Sequence, residues 1–246
     1  KRKKWNFFVV GGEKTHKNFK LQYGNYLNLE DQKKLNFEFS KICPINSYTR
    51  KNIGYLCAIK HKSDLIVETD DDNYPKNNFF SNKHLKHSVN EIGNKNWINI
   101  YDFFINKKQI IWPRGLPLDE VINNKLIIKK KKIKNSFYLQ QGVCEGNPDV
   151  DAIYRLLNQQ INIKFKNRKK ISLGKSFSTF NSQNTIWFKK IFALMYLPVT
   201  CTMRCTDIWR SLIALKILYN DNKKILFFGT TMKQNRNIHN LINDYK

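Results

Sequence analysis

Short apolar runs bounded by turn-forming residues alternate along this chain with longer stretches in which apolar residues recur every three or four positions. That alternation of strand-like and helix-like periods predicts an α/β domain. Phe7 to Val10 reads as a buried first strand ending in Gly11-Gly12, a tight loop where a nucleotide can approach the backbone. Tyr26 to Leu29 reads as a short strand. Glu30-Asp31-Gln32 then opens a short helix through Phe37, with its acids in the first turn, where the helix dipole favours them. Asn46 or Ser47 caps a helix to about Lys60, with Ile53, Leu56 and Ile59 at three-residue spacing on one face. Arg50 and Lys51 fall in its first turns, the wrong end for cations if only the dipole mattered, so they are expected to face an anion or a carboxylate. Leu65 to Glu68 is then a buried strand.

Farther along, Trp97 to Ile100 and Gln109 to Trp112 read as strands, and Pro113, Gly115 and Pro117 make the next segment a rigid loop. Arg114 in that loop either meets phosphate or pairs with Asp119 or Glu120. Phe137 to Gln141 is another strand, Gly142 to Asn147 is turn-rich, and Pro148 precedes a helix through Asp149, Asp151, Ile153 and Leu157. Asp149 and Asp151 serve there either as contacts to sugar hydroxyls or as helix caps. Thr202 or Thr206 caps a last helix whose Ile208, Leu212, Leu215 and Tyr219 form an apolar stripe, with Asp207 in its first turn. Lys223 to Gly229 reads as an edge strand. A single domain is therefore expected over residues 1–229, followed by a polar tail over 230–246.

Charge changes the picture at one point above all. The chain has 44 Lys and Arg against 19 Asp and Glu, a formal net charge of +25. Yet Asp70, Asp71 and Asp72 stand side by side after the Leu65–Glu68 run, with the oxygen donors Thr69 and Asn73 on either side. Adjacent carboxylates repel, and the repulsion is relieved either by full solvation in a turn or by a hard divalent cation. In an open α/β sheet, ligands bind outside the carboxyl ends of the strands, which places this triplet where the phosphates of a nucleotide would be held. The basic excess itself has two readings, nonspecific contact with a polyanion such as nucleic acid, or a compositional bias toward Lys, Asn and Ile. The run Lys129 to Lys132 with Lys134 is likewise a basic patch or a solvated loop between strands.

Other chemistries find no pattern. Glu13-Lys14-Thr15-His16 after the glycine pair has neither dinucleotide-fingerprint nor Walker spacing. Cys43, Cys57, Cys144, Cys201 and Cys205 are irregularly spaced without a CxxC pair and do not read as zinc ligands. No run approaches the roughly 18 apolar residues of a membrane-spanning helix, and the apolar stretch after Lys1–Lys4 is too short for a signal peptide, so the chain reads as soluble.

Tyr48-Thr49-Arg50-Lys51-Asn52-Ile53-Gly54-Tyr55-Leu56 followed by Glu68-Thr69-Asp70-Asp71-Asp72-Asn73 resembles the STELLO family of glycosyltransferases, and more loosely the reversibly glycosylated polypeptides related to UDP-arabinopyranose mutases. Similar blocks continue in the same order through Trp112 to Leu118, Gln141 to Val143, Asn147 to Leu156, Phe180 to Thr185, Tyr196 to Thr200 and Arg204 to Arg210. The resemblance implies a GT-A-like, Rossmann-type nucleotide-sugar-binding domain with a mainly parallel mixed sheet. It implies Asp70 and Asp72 as ligands of Mn or Mg, with Asp71 beside them, and a UDP-linked sugar as donor. Gly11, Arg50, Lys51, Arg114, Asp149 and Asp151 become candidates for donor contacts. Asp207 becomes the acceptor-side acid, as general base or orienting carboxylate, its alternative role being dipole stabilisation with Arg204 and Arg210 as partners. The acceptor, glycan or protein, stays open, and a Golgi or secretory lumen is implied, with the cytoplasm as the alternative. A non-catalytic GT-A-like assembly or polyanion-binding module and a nucleotide-sugar mutase are the alternative readings.

Overall fold

The computed structural model of the protein describes residues 5–81, 83–93, 96–105, 109–122, 130–158, 160–166 and 169–236. At the amino end, β1 (Phe8–Val10) pairs in parallel with β2 (Asn25–Leu27) as a separate two-stranded sheet. Two short helices follow, α1 (Leu29–Lys34) and α2 (Glu38–Ile42). Asn28 caps α1 by accepting from the backbone N–H groups of Glu30 and Asp31 at 2.9 Å, while Asp31 accepts from the Asn28 N–H, a reciprocal box that satisfies otherwise orphaned donors. Ser47 caps a 3-10 turn over Tyr48–Arg50 that runs directly into α3 (Lys51–Lys60). β1 rests on α3 at Gly54, and with three residues and one strand neighbour it is half-buried rather than the core strand its apolar run predicts. On α3 the buried face is Asn52, Ile53, Tyr55, Cys57 and Ala58, and Ile59 is exposed.

The main sheet is built from β3 (Leu65–Glu68), β4 (Asn73–Pro75), β5 (Lys86–Ile92), β6 (Lys130–Ser136), β7 (Leu139–Gly146), β8 (Lys170–Ser172), β9 (Thr185–Phe188) and β10 (Ile225–Gln234). The intervening helices are α4 (Leu118–Ile122), α5 (Ala152–Leu157) and α6 (Thr206–Asn220). The strand order is β3-β9-β7-β10-β8-β5-β6, with β4 pairing on the far end of β10. β7–β10 and β5–β8 are parallel and the remaining pairings antiparallel, so the sheet is mixed and the α/β class expected from the sequence holds. One face carries the main core, where Leu139, Trp187, Ile225 and Phe227 meet Tyr55 and Ala58 of α3 and Leu215, Leu218 and Tyr219 of α6. Each such buried side chain contributes about 1.5–3 kcal/mol. The other face carries a small cluster of Val89, Phe137 and Leu226.

Several expected boundaries move. Gly142 to Gly146 is strand, not turn, because β10 pairs alongside it in parallel through Met232–Cys144, Lys233–Glu145 and Gln234–Gly146. β10 is a central strand rather than an edge, as a continuous apolar run flanked on both sides requires, and it continues through Thr230 and Thr231 to Gln234. The polar tail therefore cannot begin at residue 230, and residues 237–246 lie outside the described ones. Trp97 makes an isolated bridge to Phe177 and Ile100–Phe103 is a 3-10 turn, while 109–112 forms no strand. Lys131 to Lys134 lies in the edge strand β6, where exposed lysines discourage pairing with another sheet. Lys129 lies outside the described residues. No helix among the described residues is long and apolar enough to cross a membrane.

A buried ion pair joins the layers. Arg210 of α6 passes 5.2 Å from the Trp187 ring and 5.7 Å from the Phe180 ring to reach Glu68 at 2.9 Å. Glu68 also accepts from Trp187 Nε1 at 2.8 Å and from the Tyr55 hydroxyl. Burial works against the Arg210 charge, but Glu68 and Tyr55 outweigh it and hold the guanidinium firmly protonated. Replacing one partner strands the other charge in the interior, so Arg210→Met or Glu68→Gln should each cost about 3–5 kcal/mol. The double variant should cost less than the sum. Urea unfolding of all four proteins measures this, and strictly additive losses would show that the pair is not coupled.

Candidate active site

The turn after β3 carries the acidic triplet to the carboxyl edge of the sheet. Asp70 Oδ1 accepts from the Tyr48 hydroxyl at 3.0 Å and forms an ion pair with Lys51, so the cation at the start of α3 does face a carboxylate. The Tyr48 hydroxyl also meets Ser182 Oγ. Asp71 is exposed. Asp72 is held from the opposite end of the chain, because β4 lies antiparallel on β10 and brings Gln234 Nε2 to Asp72 Oδ2 at 2.8 Å. Its other oxygen, Oδ1, is buried and has no partner. Burial, with help from Asp70 and Asp71, raises the Asp72 carboxyl against the pull of Gln234 and Arg236.

A second cluster forms around Arg114. Its loop turns at Gly115, whose φ of +84° and close approach to Ile208 and Thr179 leave no room for a side chain. Arg114 Nε donates to Asp149 Oδ1 at 2.8 Å and Nη2 to Asp149 Oδ2 at 2.7 Å. Nη2 also reaches both Asp207 oxygens at 3.0 Å, and Nη1 donates to the Arg204 carbonyl. The partners of Arg114 are thus Asp149 and Asp207, not Asp119 or Glu120. For Asp149, burial acts upward but the charge and hydrogen bonds of Arg114 prevail and hold it below the usual carboxylate range. For Asp207, burial dominates over Arg114 and the carboxyl is raised. A cavity of about 10 Å³ opens among Arg114, Asp149, Gln141 and Asn181, room for one water-sized group.

The two clusters share a neighbourhood. The Tyr48 hydroxyl is pushed up by burial and then by Asp70 and Asp207 together. The Cys144 thiol is pushed up by burial and then by Asp70, Asp72 and Asp149. Arg236 is pulled down to about 10 by burial and by Arg155, opposed by Asp149 and Asp72. Carboxylates from three separate segments therefore converge on one cleft, interleaved with Lys51, Arg114, Arg204 and Arg236. A polar network backs it: Gln141 donates to Asn181, Asn181 to Gln183, and Gln183 to Gln234.

Three sequence candidates are committed elsewhere. Arg50 is buried and binds Gln32 and the carbonyls of Cys43 and Pro44, tying α3 to α1 and α2. Gly11 gives its N–H to Leu27 and its carbonyl to Gln32, and Tyr26 covers its α-carbon, so the open glycine of that loop is Gly12. Asp151 caps α5 through the Ile153 N–H at 2.9 Å. Tyr48, Ser182, Gln234 and Arg236 carry no site role in the sequence reading, although Tyr48 and Ser182 fall within the blocks quoted for the family resemblance; of the two partners expected for Asp207, Arg210 pairs with Glu68 and Arg204 gives its carbonyl to Arg114. Among the described residues no three His, Cys, Asp or Glu form a metal-holding group. Asp70 and Asp72 nevertheless fit the kind of ion that is held by one or two carboxylates with phosphate oxygens completing its shell, and the unpartnered Asp72 Oδ1 is the atom such an ion would satisfy.

A mixed α/β sheet with a charged cleft at its carboxyl edge is consistent with a GT-A-like glycosyltransferase fold. The chain is 28% identical over 242 residues to the probable glycosyltransferase STELLO2 of Arabidopsis thaliana, and 27% identical over 240 residues to the probable glycosyltransferase STELLO1 of the same plant. These matches cover 88% and 87% of this chain but 31% and 30% of the relatives, so it spans about a third of their length. The resemblance carried by the ordered blocks is thereby borne out over most of the chain. No protein-family model matches it.

The raised Asp72 carboxyl has a consequence for stability. A folded pKa above the unfolded one means that the protonated form stabilises the fold, and that this contribution is lost as pH rises through the folded value. At neutral pH the ionised group is a net cost. Asp72→Asn should therefore leave thermal stability at pH 7 unchanged or higher, with the difference shrinking toward acid pH. Thermal unfolding across that range checks it, and a clear loss of stability at pH 7 would contradict it.

Proposed function

We propose that the protein is a metal-dependent glycosyltransferase that takes a UDP-linked sugar as donor. The observation that carries this reading is the Asp72 oxygen buried without a partner, two residues from Asp70 at the carboxyl end of β3. A module that only bound polyanions would gain nothing from a buried carboxylate oxygen left without a partner there. Asp70 and Asp72 would hold Mn or Mg, which when bound offsets charge developing on the leaving diphosphate. Lys51 supplies a protein cation at the same place, already held against Asp70. Both oxygens of Asp207 accept from Arg114, which suits an orienting carboxylate on the acceptor side rather than a freely accessible base. The small cavity beside Arg114 and Asp149 suits a single sugar hydroxyl. A Golgi or secretory setting is the compartment we propose on the same family likeness.

Calorimetry with UDP, with and without Mn, on the wild type and on the Asp70→Asn/Asp72→Asn double variant tests the donor site. Binding should need metal and fall at least about tenfold in the variant, the scale of losing a charged ligand contact. Equal binding without metal or in the variant sinks the reading. Asp207→Asn should lower the transfer rate on the order of 10²-fold by loosening Arg114, with donor affinity nearly unchanged. An unchanged rate in a folded variant removes Asp207 from the machinery.

A further inference from the structure

The sheet face turned away from Arg114 holds a second cavity, of about 240 Å³. Alternate residues of a strand point to opposite faces. Gln141 and Phe227 line the cavity beside Arg114, whereas Gln140, Leu226 and Phe228 line this one. Along β10 they come closer: Thr231, which also lines this cavity, stands three residues from Gln234, the latter bonded to Asp72, roughly 10 Å of extended chain.

Its chemistry is one-sided. Lys83, Lys169, Lys170 and His87 line it, and no Asp or Glu does among the described residues. Lys83 is 8% exposed, and its ammonium lies 4.3 Å from the Phe79 ring with no hydrogen bond or ion pair to a described residue. Burial alone draws it down to about 8. His87 Nε2 is 2.8 Å from the His84 carbonyl, to which it donates, which leaves Nδ1 to accept from Lys170 at 3.3 Å and keeps the ring neutral. An ammonium group drawn largely out of water without a counter-charge, as at Lys83, is costly, and an anion in the cavity relieves that cost. Asn78 adds a finer constraint. Its amide nitrogen donates to the Thr230 carbonyl at 3.2 Å, which fixes the side chain, and its Oδ1 is buried without a partner. An acceptor left unpaired among cations calls for a ligand that carries an O–H as well as anionic oxygens.

We propose that this cavity binds a phosphate group, either inorganic phosphate or a phosphate monoester bearing hydroxyls. Monohydrogen phosphate and a polyol monophosphate both offer anionic oxygens to Lys83 and Lys170 and an O–H to Asn78. Sulfate offers no O–H, so the site discriminates between two anions of similar shape and charge. The site stands apart from the donor cleft and does not rest on the reading of that cleft.

Titration of the intact chain with inorganic phosphate, sulfate and glycerol 3-phosphate, followed by calorimetry, tests this. Phosphate or the monoester should bind saturably, with sulfate at least about tenfold weaker, the scale of one unsatisfied buried acceptor. Whether the ester binds as well as free phosphate tells which source the site accepts, and binding of either supports the proposal. Lys83→Met should weaken phosphate about tenfold or more while leaving UDP binding with Mn unchanged. If that variant does not fold, Lys170→Met makes the same test at a half-exposed position. The proposal is overturned by no saturation up to about 10 mM phosphate, by equal affinity for sulfate, by variants that bind as the wild type does, or by displacement of phosphate by UDP.

Discussion

The Glu68–Arg210 pair is the interaction on which both halves of the cleft hang. It ends β3, and two residues later the chain enters Asp70. It also fixes α6, because Asp207 and Arg210 are three residues apart and share a face of that helix, so pinning Arg210 inward aims Asp207 at Arg114. A buried pair of this kind is not obviously more stabilising than well-packed apolar residues would be. What it supplies is orientation: Tyr55 of α3, Trp187 of β9 and Arg210 of α6 all converge on one carboxylate.

The cleft is close to electrically balanced within a chain that is strongly basic overall. Asp70 is set against Lys51, and Asp149 and Asp207 against Arg114. Asp72 breaks the pattern, since its side-chain hydrogen bond comes from a neutral amide and its other oxygen has no hydrogen-bond partner, with Arg236 acting on it through its charge. The distribution separates groups already satisfied by the fold from one that the fold leaves unsatisfied. On the far face the sign is reversed, in lysines collected without an Asp or Glu among the described residues that line the cavity.

Local features were legible from the sequence where a local pattern produces them. The apolar run of β3, the Ser47 cap and the stripe of α6 need no distant partner to be recognised. What was not legible is who each charge meets. Asp72 and Gln234 are 162 positions apart, and Arg114 and Asp207 are 93 apart, with no periodicity linking them. β10 was cut short for a related reason. Its second half is polar because it faces Gln183, Asn184 and Asp72 rather than apolar core, so the hydrophobic signal stops while the strand continues. β5 and β6 lack a clear apolar alternation because they lie at the sheet margin, where one side needs no cover.

The central position of β10 bears on how the molecule assembles. It is the last described strand in the chain, yet it lies between β7 and β8 and also pairs with β4. Contacts of such long sequence separation form slowly, since loop closure precedes any gain from pairing. Until β10 docks, β7 and β8 present open edges able to recruit another chain. The acids after β3 meanwhile remain in water, repelling one another. The hydrogen bond that holds Asp72 to Gln234 is therefore among the last features to appear, and it appears together with closure of the sheet.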